Sequence, residues 1–152
     1  MASHPYRTHL HWTGSTGAGV RSYSRDHTAA APPATHEVAL SADPAFRGSP
    51  EHLNPEQLVV MAASSCQMLS FLGVAAREGV DVLAYEDEAD SRLDTTVLPV
   101  RLATIHLAVT VKVAAGTDHV RVLELAEQAH RGCYVANSLA VPVEVTTTVV
   151  HT

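Results

Sequence analysis

The hydrophobic pattern changes period three times along the chain, and each change marks a different element. From Leu58 to Val74 apolar residues fall on nearly every side of a 3.6-residue helical turn: Leu58, Val59, Val60, Met61, Ala62, Ala63, then Met68, Leu69, Phe71, Leu72 and Val74. Asn54 suits the N-cap, Pro55 the first helical position, and Gly79 the stop, so a helix is expected over residues 54–78. A helix with no polar face belongs inside something. So short a chain can hardly wrap it alone, which points to a dimer.

After Gly79 the period falls to two. Val80, Val82 and Ala84 alternate with Asp81, Leu83 and Tyr85, running into the acidic Glu86-Asp87-Glu88. A stronger alternation sets Ile105, Leu107, Val109, Val111 and Val113 against His106, Ala108, Thr110 and Lys112. Such runs read as strands with one face on a core. Gly116-Thr117-Asp118 opens a second helix, with Val120, Leu123 and Ala126 on one face and Gly132 just past its end. Tyr134 to Leu139 fits one further helical turn, and Val143 to Val150 a last strand. Ahead of the long helix, Thr8–Trp12 and Val20–Tyr23 flank Gly14, Gly17 and Gly19 as a hairpin; His36–Leu40 fits a third strand, Ala29–Pro33 a loop, and residues 41–50 an irregular lead-in. Strand runs separated by helices predict an α+β fold with antiparallel sheet. One domain is expected over residues 1–152, made of N-terminal strands and loop (1–50), the helix (54–78), and strands with a second helix (80–152).

Composition narrows the function. The net charge is −6 and the ten Lys and Arg are scattered, so neither nucleic acid nor an anionic membrane is an expected partner. No apolar stretch approaches the roughly 20 residues of a spanning helix. The first residues lack the apolar core of a secretory signal, which makes a reducing cytoplasm the expected location. There, two cysteines are buried hydrophobes, metal ligands or catalytic thiols, and not a structural disulfide.

Cys66 lies mid-helix among small polar neighbours, Ser64 and Ser65. Cys133 lies at a helix–turn junction. A thiolate that attacks a peroxide O–O bond needs a cation to form and a second thiol to condense with. Nothing basic lies within ten residues of Cys66, so the cation comes from elsewhere; Arg25 and Arg47 are the candidates from the N-terminal half. A metal is not expected. His130 and Cys133 stand three apart, but a structural zinc wants four ligands, and His9 and His11 share a solvent face. No Gly-x-Ser-x-Gly elbow is present, and the Gly14–Gly19 loop lacks the Lys and helix of a phosphate loop.

Asn54-Pro55-Glu56-Gln57-Leu58, Ala62-Ala63-Ser64-Ser65-Cys66, and Cys133 followed by Asn137-Ser138-Leu139 together resemble the OsmC/Ohr family of organic hydroperoxide reductases. The likeness runs from Trp12 to Val150, with a Glu ten residues before the first Cys and the second Cys 67 after it. It implies antiparallel sheets around a long buried central helix, in an intertwined homodimer with sites at the subunit interface. It implies a cysteine peroxidase that reduces organic hydroperoxides to alcohols. Cys66 matches the peroxidatic Cys, Cys133 the resolving Cys that would form a Cys66–Cys133 disulfide, and Glu56 the acidic partner of a catalytic Arg. Arg25 is favoured for that Arg, with Arg47 the alternative. No cofactor is implied beyond an external dithiol reductant, for which protein-bound lipoyl groups serve in some members. Tyr134 stands where many relatives carry Pro, a departure that bears on the local turn.

Ten helical residues span about 15 Å, so an Arg bridging Glu56 and Cys66 within one subunit is hard to arrange. Glu56, with its Arg, is therefore expected from the other protomer. The alternative function is a non-catalytic member of the fold that holds a hydrophobic ligand in an apolar pocket of Met61, Met68, Leu69 and Phe71 beside Cys66.

Overall fold

The computed structural model describes residues 3–152, and the chain divides into two compact units, Met1–Leu58 and Val59–Thr152. The sequence reading placed all of it in one domain.

In the first unit β1 (His9–His11), β2 (His27–Ala30) and β3 (Val38–Leu40) form an antiparallel sheet in chain order. β1 pairs with β2, His9 opposite Ala30, so the expected hairpin partner Val20–Tyr23 is not a strand and Ala29–Ala30 are not loop. The reason is Arg25. Its guanidinium donates to the carbonyls of Tyr23 and Val20 and lies 3.8 Å over the Tyr23 ring, which curls that segment into a turn. Trp12 donates to Ser24 O at 2.9 Å and meets Tyr23 edge-on. Residues 41–50 are pinned around Asp26, whose carboxylate accepts from Ser41 and Ser49 at 2.8 and 2.7 Å. The unit ends in a reciprocal cap: Asn54 Oδ1 accepts from the Gln57 N–H, and Gln57 Oε1 accepts from the Asn54 N–H. This cap starts α1 (Pro55–Arg77), which stops before Gly79 with its φ of 71°.

The second unit holds β4 (Val82–Asp90), a short hairpin of β5 (Leu93–Asp94) and β6 (Arg101–Leu102), β7 (Ile105–Val113), α2 (His119–Arg131), α3 (Tyr134–Ser138) and β8 (Val143–His151). Its main sheet has the order β4-β7-β8. β7 alternates as expected, with Ile105, Leu107, Val109, Val111 and Val113 all buried. β8 lies parallel to β7, a departure from all-antiparallel pairing. Parallel neighbours need a long crossover, and α2 with α3 supplies it. Asp118 caps α2 by accepting from Val120 and Arg121. The buried face of α2 is Val122, Leu125, Ala126 and Ala129; Val120, placed on that face from sequence, is 62% exposed.

α1 contributes Ala63, Phe71, Val74 and Ala75 to the same core as β7 and α2. Ser70 donates to Ala129 O at 2.9 Å, tying α1 to α2. With 23 residues α1 is long and apolar enough to cross a membrane by length and composition, contrary to expectation. Its serines break the run without making it hydrophilic, and its buried side chains lie in the core of this unit. The helix is buried on one face only: Met61, Ser65, Leu69 and Ala76 recur at helical spacing on an exposed face.

Candidate functional site

Cys66 sits half-buried in the middle of α1, and Cys133 is 1% exposed. Both are free thiols. α2 ends at Arg131, Gly132 turns the chain, and Cys133 takes an extended conformation (φ −71°, ψ 111°) as the residue that precedes α3. This places Cys133 near enough to Cys66 for the two thiols to influence each other's ionisation. The backbone N–H of Val135, unpaired in the first turn of α3, donates to Cys66 Sγ at 3.5 Å. Burial pushes the Cys133 thiol above its ordinary pKa, and the proximity of Cys66 adds to this; the N–H groups of Ala136 and Val135 pull the other way. Of the two sulfurs, Cys66 is the accessible one and Cys133 the shielded one.

Asp87, Tyr85 and Gln67 are groups of this unit that sequence reading did not single out. Ser64, one helical position pair before Cys66, donates to both carboxylate oxygens of Asp87 at 2.7 and 2.8 Å. Tyr85 packs on Phe71 with ring centroids 6.0 Å apart, and its hydroxyl is buried. Burial, then the charge and hydrogen bonding of Asp87, and last the charge of Cys133, push its pKa far above the usual tyrosine value. Gln67 is buried, with Nε2 at 3.5 Å from Ala126 O and Oε1 without a partner among the described residues. Tyr85 was read on the outer face of β4 because its alternation was followed unbroken from Val80. A register shift between Val82 and Ala84 reverses the faces, so Tyr85, Asp87 and Ala89 are the half-buried positions.

The apolar quartet expected to line one pocket is divided. Phe71 is core, while Met61 and Leu69 are 52% and 63% exposed. His130 lines a cleft of about 470 Å³ with Asn137, Leu139 and Val141. Among the described residues no three His, Cys, Asp or Glu side chains cluster as metal ligands would.

The remaining candidates lie in the first unit. Glu56 occupies the first turn of α1, where the helix N-terminus favours a negative charge. Arg25 is bound to its own turn and borders a cleft of about 300 Å³ lined by Leu10, Trp12, Tyr23 and His27. Arg47 is exposed, with a φ of 69° after the 3-10 turn Pro44–Phe46. Among the described residues of this unit, neither arginine forms an ion pair with Glu56.

Two free thiols, Cys66 on α1 and Cys133 just ahead of α3, with the Val135 N–H on the Cys66 sulfur, define a dithiol site. The chain belongs to the OsmC-like protein family, whose model matches residues 48–148, as the residue resemblance implied. It is similar to an OsmC-like protein of unknown function from Vibrio cholerae O1 biovar eltor, with 25% identity and a TM-score of 0.84, over 96% of this chain and 100% of that one. An organic hydroperoxide resistance protein from Elizabethkingia anophelis shares the fold at 17% identity and TM-score 0.73, over 99% of each chain. The organic hydroperoxide resistance protein of Bacillus subtilis does so at 15% and 0.63, over 97% and 98%. No match is found among curated protein sequences.

Proposed function

We propose that this chain is a thiol peroxidase that reduces organic hydroperoxides to alcohols. The Cys66 thiolate attacks the terminal peroxide oxygen, the O–O bond breaks, and the alkoxide leaves as the alcohol after taking a proton. Cys66 is then a sulfenic acid. Cys133 attacks that sulfur, the S–S bond forms, and hydroxide leaves as water with the Cys133 proton. An external dithiol, with protein-bound lipoyl the candidate, exchanges with the disulfide and restores both thiols in a reducing cytoplasm.

The observation that carries this reading is the Val135 N–H on the Cys66 sulfur, which lays the turn that begins at Cys133 against Cys66. Cys66 takes the attacking role because it is the more exposed. The names of the hydroperoxide resistance relatives support the substrate class.

The proposal extends to a homodimer in which a second copy supplies Glu56 together with Arg25, or with Arg47 in its place. The exposed row of Met61, Ser65, Leu69 and Ala76 supports it, because an apolar helix face in water is a surface that association would cover. A chain that is monomeric and fully active would sink this part.

The central test is single turnover with cumene hydroperoxide, a lipid hydroperoxide and H₂O₂, followed by thiol titration. A Cys66–Cys133 disulfide that forms fastest with the organic peroxides is expected, and Cys66→Ser should abolish peroxide consumption. Failure to form the disulfide with any peroxide would overturn the reading.

A further inference from the structure

Helix α1 holds the segment around Cys133 from both sides. The N–H of Val135 donates to Cys66 Sγ at 3.5 Å, and Ser70 Oγ donates to Ala129 O at 2.9 Å. Cys66 and Ser70 stand one turn apart on α1 and so share a face. Between Ala129 and Val135 runs the bend that carries Cys133. Gly132 closes α2 with an N–H bonded to Ala129 O at 3.1 Å, and Cys133 follows as the residue ahead of α3. The Ala129 carbonyl thus accepts both from the residue before Cys133 and from the Ser70 hydroxyl. Gln67 also reaches α2, but only at 3.5 Å, so Ser70 makes the shorter bond between the helices.

We propose that Ser70 is a positioning residue for disulfide formation: its bond to Ala129 O fixes the end of α2, and with it Cys133, against the face of α1 that bears Cys66. For its part in turnover this rests on the peroxidase reading. In the resolving step the Cys133 S–H proton leaves, the S–S bond forms, the Cys66 S–O bond breaks, and hydroxide departs with that proton as water. The hydroperoxide has supplied the sulfenic oxygen. Ser70 exchanges no proton in this step and acts through the backbone it holds.

The Val135 bond cannot do this alone. It ends on the sulfur that reacts, so oxidation of Cys66 changes its acceptor, whereas the Ser70 bond ends on backbone and outlasts the chemistry. Groups held in reacting orientation behave as though highly concentrated, and a freer backbone dilutes them. Ala129 O keeps its Gly132 bond when the hydroxyl is removed, so the loss falls on placement more than on stability.

Glutathione tests the placement without any peroxide. Oxidised glutathione converts the two thiols to a disulfide and leaves as two reduced glutathiones, and the equilibrium constant measures the effective concentration of Cys133 at Cys66. Ser70→Ala is expected to lower that constant about fivefold, and Ser70→Thr, which keeps the hydroxyl, to restore it. Ser64→Ala removes a short bond from the same helix to Asp87 and should leave the constant unchanged, which controls for a general loosening of α1. With one equivalent of cumene hydroperoxide, Ser70→Ala should slow disulfide formation about fivefold and leave the oxidation of Cys66 unchanged. A glutathione constant equal to the parent's, or lowered as much by Ser64→Ala, would overturn the role of Ser70. A chain inert to every peroxide would overturn the peroxidase reading and leave the glutathione result standing. Should Ser70→Ala fail to fold, Ser70→Thr and Ser70→Val, alike in shape and different in the hydroxyl, make the same comparison; equal constants count against the proposal.

Discussion

The N–H of Val135 points at the sulfur of Cys66, 3.5 Å away, although the two residues are 69 positions apart in the chain. The bond joins the first turn of α3 to the middle of α1. It exists because a five-residue helix leaves its leading N–H groups without partners inside itself. The same turn carries Cys133, so one backbone segment delivers both a donor and a second thiol to Cys66.

That turn accommodates proline. Tyr134 is the first residue of α3 and 84% exposed, and Cys133 before it is already extended. Proline fits the first helical position, and an extended residue suits the place before it. Tyr134 therefore does not impose a turn that proline would change. Tyr134→Pro is expected to stabilise the fold by up to about 1 kcal/mol through the unfolded chain. Thermal melts check the sign, and a destabilised variant would show that the Tyr134 N–H or ring is needed.

The buried Cys133 thiol makes reduced protein sensitive to alkali. Its pKa is raised in the folded state, chiefly by burial, so the stability it contributes is complete below the ordinary thiol value of 9.0. That stability is lost as pH rises from there through the folded pKa. Urea midpoints of the reduced chain should fall above pH 9, and Cys133→Ser should flatten the decline. A decline of equal slope in the variant would assign the effect to other groups.

Gly48 is enforced by its surroundings and not by its φ. A Cβ there would stand 1.6 Å from the Ala42 carbonyl oxygen, and a backbone atom cannot swing away. Gly48→Ala is expected to cost of order 2–3 kcal/mol by overpacking the loop that Asp26 pins. Hydrogen exchange should show lost protection at Ser41, whose N–H bonds to Leu53 O at 2.8 Å.

Gln67 spends a polar side chain on one long contact, 3.5 Å to Ala126 O, while its Oε1 has no partner among the described residues. Replacing it by a residue of similar volume removes a buried orphan and little bonding. Gln67→Met should lie within about 1.5 kcal/mol of the parent, on the stable side. A much larger loss in denaturant titration would mean that Oε1 has a partner worth keeping.

The sequence by itself determined what local chemistry determines. Asn54, Pro55 and Gln57 set the start of α1 because capping uses side chains within four residues of one another. The strict alternation from Ile105 to Val113 set β7 and its buried face. The two cysteines and the Asn-Pro-Glu segment were enough to point to the OsmC-like family. The tertiary structure decided what depends on register and on groups without side-chain identity. The shift after Val82 turned Tyr85 and Asp87 inward, and no periodicity displays a single inserted residue. Arg25, an ordinary basic residue in sequence, folded Val20–Tyr23 away from strand pairing through backbone carbonyls. The donor on Cys66 is likewise a backbone N–H, identical in every residue but proline, and only the crossover through α2 and α3 selects Val135 to present it.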